Sequence, residues 1–418
     1  MQESHRNYSL AKDKISILLL EGIQQSAEAC FREAGYSQIE SFSSALPENE
    51  LTEKIREVHF LGIRSRTQLT ESVLQNAEKL AGIGCFCIGT DQVNLNAARH
   101  QGIPVFNAPY ANTRSVAELV LAEIVMLMRG IPAKNAAAHR GQWLKTARDA
   151  YEVRGKTLGI VGYGHIGSQL GVLAEGLGLR VAYYDIERKL PLGNAEPVNS
   201  LGELLRRSDL VSLHVPDTEQ TQNLIDQTAI AQMKSGTHLI NASRGRVVSI
   251  SALTEALDSG HINGAAIDVF PSEPASASDE FLSELRKYDN VLLTPHIGGS
   301  TFEAQQNIAI DVAGKMIQYS DNGSTTGAVN FPNVNLPDVS SSKPATARRI
   351  LHIHHNEPGV LQAVNQVFSQ AGINIAGQYL QTLPDVGYVV MDVETDDPGP
   401  LLNGLNSIPA TIRTRFLY

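Results

Sequence analysis

Three apolar runs in the second half of the chain close on polar residues that could do chemistry together. Arg244 follows THLINAS, Glu273 follows GAAIDVFPS, and His296 follows NVLLTP. An arginine grips a carboxylate through two parallel N–H bonds, which a lysine cannot do as well. A histidine takes a proton from an alcohol near neutral pH. A carboxylate on its far ring nitrogen fixes the tautomer and favours the imidazolium. Taken singly, each has a plainer reading: a surface ion pair, a solvated loop carboxylate, a turn residue. At three successive strand ends they form a set for oxidising a 2-hydroxy acid, with Arg244 on the acid, His296 on the hydroxyl proton and Glu273 behind the histidine.

Such chemistry needs a hydride acceptor, and the sequence offers a place for one. Gly162-Tyr163-Gly164-His165-Ile166-Gly167 follows the apolar run LGIV and precedes a helical stretch. Asp185 closes the next apolar run, eighteen residues beyond Gly167. In that context the glycines have separate duties: Gly162 for a tight turn, Gly164 for close backbone approach to a pyrophosphate, Gly167 for helix packing. The N-terminus of the following helix offers free N–H groups and a partial positive charge to the anion. Asp185 would accept from ribose hydroxyls and repel a 2′-phosphate, which favours NAD over NADP.

Alternating strands and helices must position these groups. The pattern predicts strands over 15–20, 38–42, 58–63, 85–89 and 103–106, with helices over 24–34, 51–57, 71–80 and 94–100. A longer helix is predicted over 115–130, with Val116, Leu119, Val120, Ile124, Leu127 and Met128 on one stripe that reads as core or subunit interface. The glycine motif then opens a second alternating series. Strands separated by helices at this spacing imply parallel βαβ units, whose ligands bind at the carboxyl ends of the strands. Residues 331–347 hold three prolines and a serine cluster and read as a linker. Beyond it, the order strand, helix, strand, strand, weak helix, strand is that of a small ferredoxin-like domain.

The composition narrows the possibilities further. A chain of 418 residues suggests roughly two to three domains. A net charge of −10 argues against nucleic acid or an anionic membrane as the main partner, while leaving room for a local basic pocket. Cys30, Cys85 and Cys87 cannot form a disulfide framework, and Cys85-Phe86-Cys87 lacks the second ligand pair that zinc requires. No metal site and no membrane span are expected, and a cytoplasmic location is.

Over nearly its whole length the chain resembles the D-isomer-specific 2-hydroxyacid dehydrogenase family, in the branch that acts on 3-phosphoglycerate and carries a C-terminal ACT domain. The segments GIRSRT, GCFCIGT, NAPYANTRSVAEL, GYGHIG, YYDIERKLPLGNA, INASRG, AAIDVFPSEP, LTPHIGGST and HIHHNEPGVL carry the resemblance. It implies two Rossmann-like or flavodoxin-like parallel-sheet domains plus a βαββαβ ferredoxin-like ACT domain. The expected boundaries are 1–111 with 299–340 for substrate, 112–298 for NAD and 341–418 for the ACT domain. Arg244, Glu273 and His296 match the catalytic positions. Gly162, Gly164, His165, Ile166, Gly167, Asp185, Ala242, Ser243, Asp268, Gly298 and Gly299 fall at cofactor positions.

Arg64, Ser65, Arg66 and Lys145 resemble the positions that gather the substrate's phosphate and carboxylate. Arg64 and Arg66, one residue apart after a strand, would point the same way. His354, Asn356 and Asn374 match positions that bind an L-serine effector, and cluster on this reading at one end of the small sheet. A metal at His352, His354 and His355 is the weaker alternative there. The Lys343–Ala347 stretch has no Gly-Gly hinge, which leaves the strength of inhibition open. A homotetramer is implied. Rival readings are a reductase for another acid such as 2-hydroxyglutarate, and an NAD-sensing protein without activity.

Overall fold

The protein is described by a computed structural model, which covers residues 10–274, 279–336, 347–395, 397 and 399–417. The chain forms two compact units: Tyr110–Gln305 is one, and the flanking stretches, Met1–Pro109 and Gln306–Tyr418, form the other.

The flanking unit begins with five parallel strands, β1 (Ser16–Leu19), β2 (Gln38–Ser41), β3 (Phe60–Ile63), β4 (Gly82–Cys85) and β5 (Val105–Phe106), in the order β2-β1-β3-β4-β5. This is the flavodoxin-like doubly wound order. The fourth strand lies three to four residues before its expected place. Two glycines masked it, and both have packing reasons. A Cβ on Gly84 would press on Val312 and Met316 of the helix Phe302–Asn322, and one on Gly82 would press on Phe60. The helix expected over 71–80 is a single turn, Glu71–Leu74.

The Tyr110–Gln305 unit holds seven parallel strands: β6 (Thr157–Val161), β7 (Arg180–Tyr184), β8 (Glu196–Pro197), β9 (Leu210–Leu213), β10 (Thr237–Asn241), β11 (Ile262–Ile267) and β12 (Val291–Leu293). Their order is β12-β11-β10-β9-β6-β7-β8, so the winding reverses between β6 and β9, where a dinucleotide crevice forms. The helix Thr113–Met128 buries Val116, Val120, Ile124, Leu127 and Met128 against Leu158, Ile160, Leu210 and Ile240. Five of the six stripe residues are therefore core, and Leu119 is half-buried.

The C-terminal sheet is antiparallel, with β13 (Ala347–His355), β14 (Ile375–Thr382), β15 (Val386–Glu394) and β16 (Thr411–Leu417) in the order β14-β15-β13-β16. With the helices Val360–Ala371 and Gly399–Asn406 this is the expected βαββαβ arrangement. The expected linker needs correcting at its start. Phe331, Val334 and Leu336 are buried with Leu351, Ile353, Tyr388 and Val390, so 331–336 is packed chain. Its irregular spacing hid that burial. Lys343–Thr346, where the missing hinge was read, lie outside the described residues.

The packing at Gly84 yields a stability test. A Gly84→Val change must displace Val312 and Met316, and its expected cost is roughly 1–3 kcal/mol. A urea midpoint equal to that of the unchanged protein would refute the close contact.

Candidate active site

Strands β10, β11 and β12 are parallel neighbours, so the loops leaving their carboxyl ends share one edge of the sheet. Arg244, Glu273 and His296 come from those three loops. After β10, Asn241 shapes the turn: its Oδ1 accepts from Ser243 N–H (3.1 Å) and Oγ (2.8 Å), and its Nδ2 donates to the Arg244 carbonyl (2.9 Å). A Cβ on Gly245 would run into the Phe270 carbonyl, so only glycine lets this turn lie against the loop that bears Glu273. Arg244 is half-buried and donates from Nη1 to the Ser243 carbonyl (2.7 Å).

Glu273 accepts from Phe270 N–H at Oε1 (3.1 Å) and from His296 Nδ1–H at Oε2 (2.9 Å). His296 has φ +54°, a left-handed conformation that costs a non-glycine residue on the order of 1–3 kcal/mol and needs external support. Asp268 supplies that support. It is 2% exposed and accepts from Thr294 Oγ1–H (2.6 Å), Ile297 N–H (2.8 Å) and Gly298 N–H (2.8 Å), gripping the turn on both sides of the histidine. Asn241 and Thr294 were missed as supporting residues, although both are polar groups at strand ends.

The hydrogen bond to Glu273 holds the His296 imidazole above its ordinary pKa; burial opposes it, and the charges of Glu273 and Asp268 reinforce it against Arg244. For Glu273, burial pushes the pKa up. The bonds from His296 and Phe270 N–H, with the His296 and Arg244 charges, outweigh it, and the carboxyl is held below its usual range. The ion pair thus stabilises the fold fully between the ordinary carboxyl pKa and the ordinary imidazole pKa, and partly out to the lowered carboxyl and raised imidazole values. Its contribution is lost as pH falls through the lowered carboxyl value or rises through the raised imidazole value.

The glycine loop follows β6 and fits a dinucleotide. Gly162 has φ +90°, and a Cβ on it would strike the His214 carbonyl. A Cβ on Gly167 would strike the Gly162 carbonyl, whereas one on Gly164 meets nothing within 4 Å. The first and third glycines therefore close the turn and seat the helix His165–Gly176, and the second leaves its N-terminus open to a pyrophosphate. Asp185 accepts from Tyr163 N–H at Oδ2 (2.8 Å) and Glu187 N–H at Oδ1 (2.9 Å), so the ribose-binding candidate is tied to the same loop. His165 and Ile166 open that helix, and Tyr110, which sequence reasoning missed, lies against the His165 ring, tilted by 35° with centroids 3.9 Å apart. Ala242 is half-buried and Ser243 buried beside Arg244. Gly298 and Gly299 lie against Val116 and Asn112 at the start of the helix Thr113–Met128.

In the other unit, Arg64, Ser65 and Arg66 follow β3. The strand ends at Ile63 and the chain bends at Ser65 and Arg66, so the two arginines are not paired by strand alternation as expected. Lys145 is exposed on irregular chain of the Tyr110–Gln305 unit, its N–H donating to the Trp143 carbonyl (3.1 Å).

The effector candidates also differ from expectation. His354 pairs with Gly387, at the start of β15, and Asn356 donates to the Leu383 carbonyl (2.9 Å) beside it. Asn374 precedes Ile375, which pairs with Val393 at the far end of β15. Both β13 and β14 run antiparallel to β15, so the end of one and the start of the other lie about 20 Å apart. The three residues are not together within one chain. His354 is 2% exposed and donates Nδ1–H to the His355 carbonyl (2.8 Å), leaving Nε2 without a partner among the described residues.

The comparisons with known proteins show the family. Residues 121–298 match the family model of the D-isomer specific 2-hydroxyacid dehydrogenase NAD binding domain, and residues 350–413 match an AHAS small subunit-like ACT domain. The D-3-phosphoglycerate dehydrogenase of Haemophilus influenzae is 59% identical over 410 residues, covering 98% of this chain and 99% of that one. The enzyme of the same name from Dictyostelium discoideum is 49% identical, with the same coverage. Among solved structures, D-2-hydroxyisocaproate dehydrogenase superposes with a TM-score of 0.69 at 26% identity, over 76% of this chain and 100% of that one. The D-lactate dehydrogenase of Aquifex aeolicus, complexed with NAD and lactic acid, gives 0.62 at 27% identity, over 74% and 96%.

The Glu273–His296 bond can be checked by titration. Glu273→Gln removes the acceptor charge, so the His296 pKa followed by NMR is expected to fall. An unchanged value would show that the carboxylate does not set it.

Proposed function

We propose, because this chain belongs to the D-3-phosphoglycerate dehydrogenases of the D-isomer specific 2-hydroxyacid dehydrogenase family, that it oxidises D-3-phosphoglycerate to 3-phosphohydroxypyruvate, the first step of L-serine synthesis. The observation that carries this reading is the 2.9 Å bond from His296 to Glu273 on the strand-end edge that also bears Arg244. When bound, NAD supplies the acceptor for the hydride that leaves C2. Arg244 holds the substrate carboxylate bidentately and so orients the neighbouring carbon. Because Nδ1–H is engaged by Glu273, Nε2 of His296 is the nitrogen that accepts the C2 hydroxyl proton. The alcohol loses one proton and one hydride and becomes a ketone. Glu273 stabilises the imidazolium that forms, and in the reverse direction the same imidazolium returns the proton. Arg64, Ser65, Arg66 and Lys145 receive the phosphate.

In this reading 1–111 with 299–340 is the substrate part, 112–298 the NAD part and 341–418 the regulatory part of a cytoplasmic enzyme. L-serine acts at the ACT domain, where Nε2 of the neutral His354, without a partner among the described residues, suits an ammonium or hydroxyl donor. With His354 and Asn356 at one end of the sheet and Asn374 at the other, a site using all three draws Asn374 from a second copy. Serine binding thereby requires a homo-oligomer, a homotetramer by family resemblance.

Replacing His296 by alanine is expected to lower kcat by about 10²–10⁴, read as NADH formed from 3-phosphoglycerate, with NAD affinity unchanged. Near-normal turnover would remove the histidine from the mechanism. For the effector, His354→Ala and Asn374→Ala homo-oligomers should each lose inhibition by serine. Oligomers assembled from both variants should regain part of it, because one composite site stays whole; no recovery would place the site within a single chain.

A further inference from the structure

The loop that presents Arg64 and Arg66 is wrapped around a carboxylate that the mechanism does not use. Glu21 follows β1 and is 8% exposed. Its Oε1 accepts from Arg64 N–H (3.1 Å) and Thr67 N–H (2.9 Å), and its Oε2 accepts from Arg66 N–H (2.9 Å). Three donors from four consecutive residues converge on one side chain, which a straight strand could not arrange. On the other side Gln92, also 8% exposed, donates Nε2–H to the Arg64 carbonyl (2.6 Å). Side chains thus hold both backbone polar groups of Arg64. Glu21 itself has φ +65°, followed by Gly22 at φ +62°. A residue with a Cβ persists there only where its surroundings hold it, and here the three N–H bonds do so.

The arrangement separates holding the loop from presenting its charge. A buried carboxylate must be compensated, and Glu21 is compensated by backbone N–H groups rather than by an arginine side chain. Among the described residues neither Arg64 nor Arg66 is in an ion pair, so both cations remain available to an external dianion. We propose that Glu21, backed by Gln92, is the positioning residue that sets the Arg64–Arg66 pair for the substrate's phosphate and thereby determines the preference for phosphorylated over unphosphorylated 2-hydroxy acids. This rests on the reading that these arginines receive the phosphate.

The test is a set of steady-state constants on the intact enzyme. An amide keeps one acceptor oxygen but turns an NH2 group toward part of the donor set. Glu21→Gln should therefore raise KM for 3-phosphoglycerate by about tenfold or more, with kcat held within about threefold. KM for unphosphorylated D-glycerate and the affinity for NAD should stay unchanged. Gln92→Met, which removes the second anchor at similar volume, should move the same constant in the same direction by a smaller factor. It also serves if Glu21→Gln does not fold. Arg64→Ala and the Glu21→Gln/Arg64→Ala double variant complete a cycle, and the two KM effects should be less than additive. Equal losses for phosphorylated and unphosphorylated acids, or full additivity, would overturn the positioning role. If Arg64→Ala itself leaves KM for 3-phosphoglycerate unchanged, it is the phosphate assignment that fails.

Discussion

A single buried carboxylate, Asp268, supports the chemistry of this protein. Its three donors come from Thr294, Ile297 and Gly298, the residues that surround His296. A left-handed histidine on an exposed loop would relax without such a grip, and its Nδ1 would lose the line to Glu273. The seven-stranded sheet makes the grip possible, because parallel neighbours β11 and β12 end side by side. Glu21 repeats the device at the end of β1, where one carboxylate collects backbone N–H groups and folds a loop over itself. In both places an acidic residue arranges the backbone, and the reactive or cationic side chains are left to face the ligand.

This division of labour explains how a chain of net charge −10 handles an anionic substrate. Part of its acidic complement is turned toward backbone N–H groups, as with Asp185 on Tyr163 and Glu187, rather than toward the arginines that would meet an incoming phosphate. The glycines complement the carboxylates. Gly162, Gly167 and Gly245 let backbone segments touch where any Cβ would intrude, and Gly164 keeps the helix N-terminus bare.

Much of this was legible in the sequence because parallel strands are apolar runs that stop at polar residues. The six-residue glycine motif, Asp185 and the Arg244, Glu273 and His296 set all follow from that habit. The parts that were not legible share physical causes. The partners of Glu21 are backbone N–H groups, which every sequence has, so no spacing betrays them; its place at a strand end was the one available signal. Glycines at 82 and 84 made β4 look like a turn, because what fills the space is a helix more than 200 residues away in sequence. Phe331, Val334 and Leu336 pack without periodicity between prolines. Asn374 was misplaced for a topological reason: two strands that both pair antiparallel with a third run parallel to each other, which separates the end of β13 from the start of β14.

Strand-end groups hold a phosphorylated 2-hydroxy acid and take its proton while NAD accepts the hydride. The most direct measurement compares initial rates of NADH formation by the intact protein on D-3-phosphoglycerate and on D-glycerate, which differ only by the phosphate. The expected result is a kcat/KM at least about a hundredfold higher for the phosphorylated acid. Equal values, or no NADH from either, would show that the protein does not carry out this phosphate-selective oxidation.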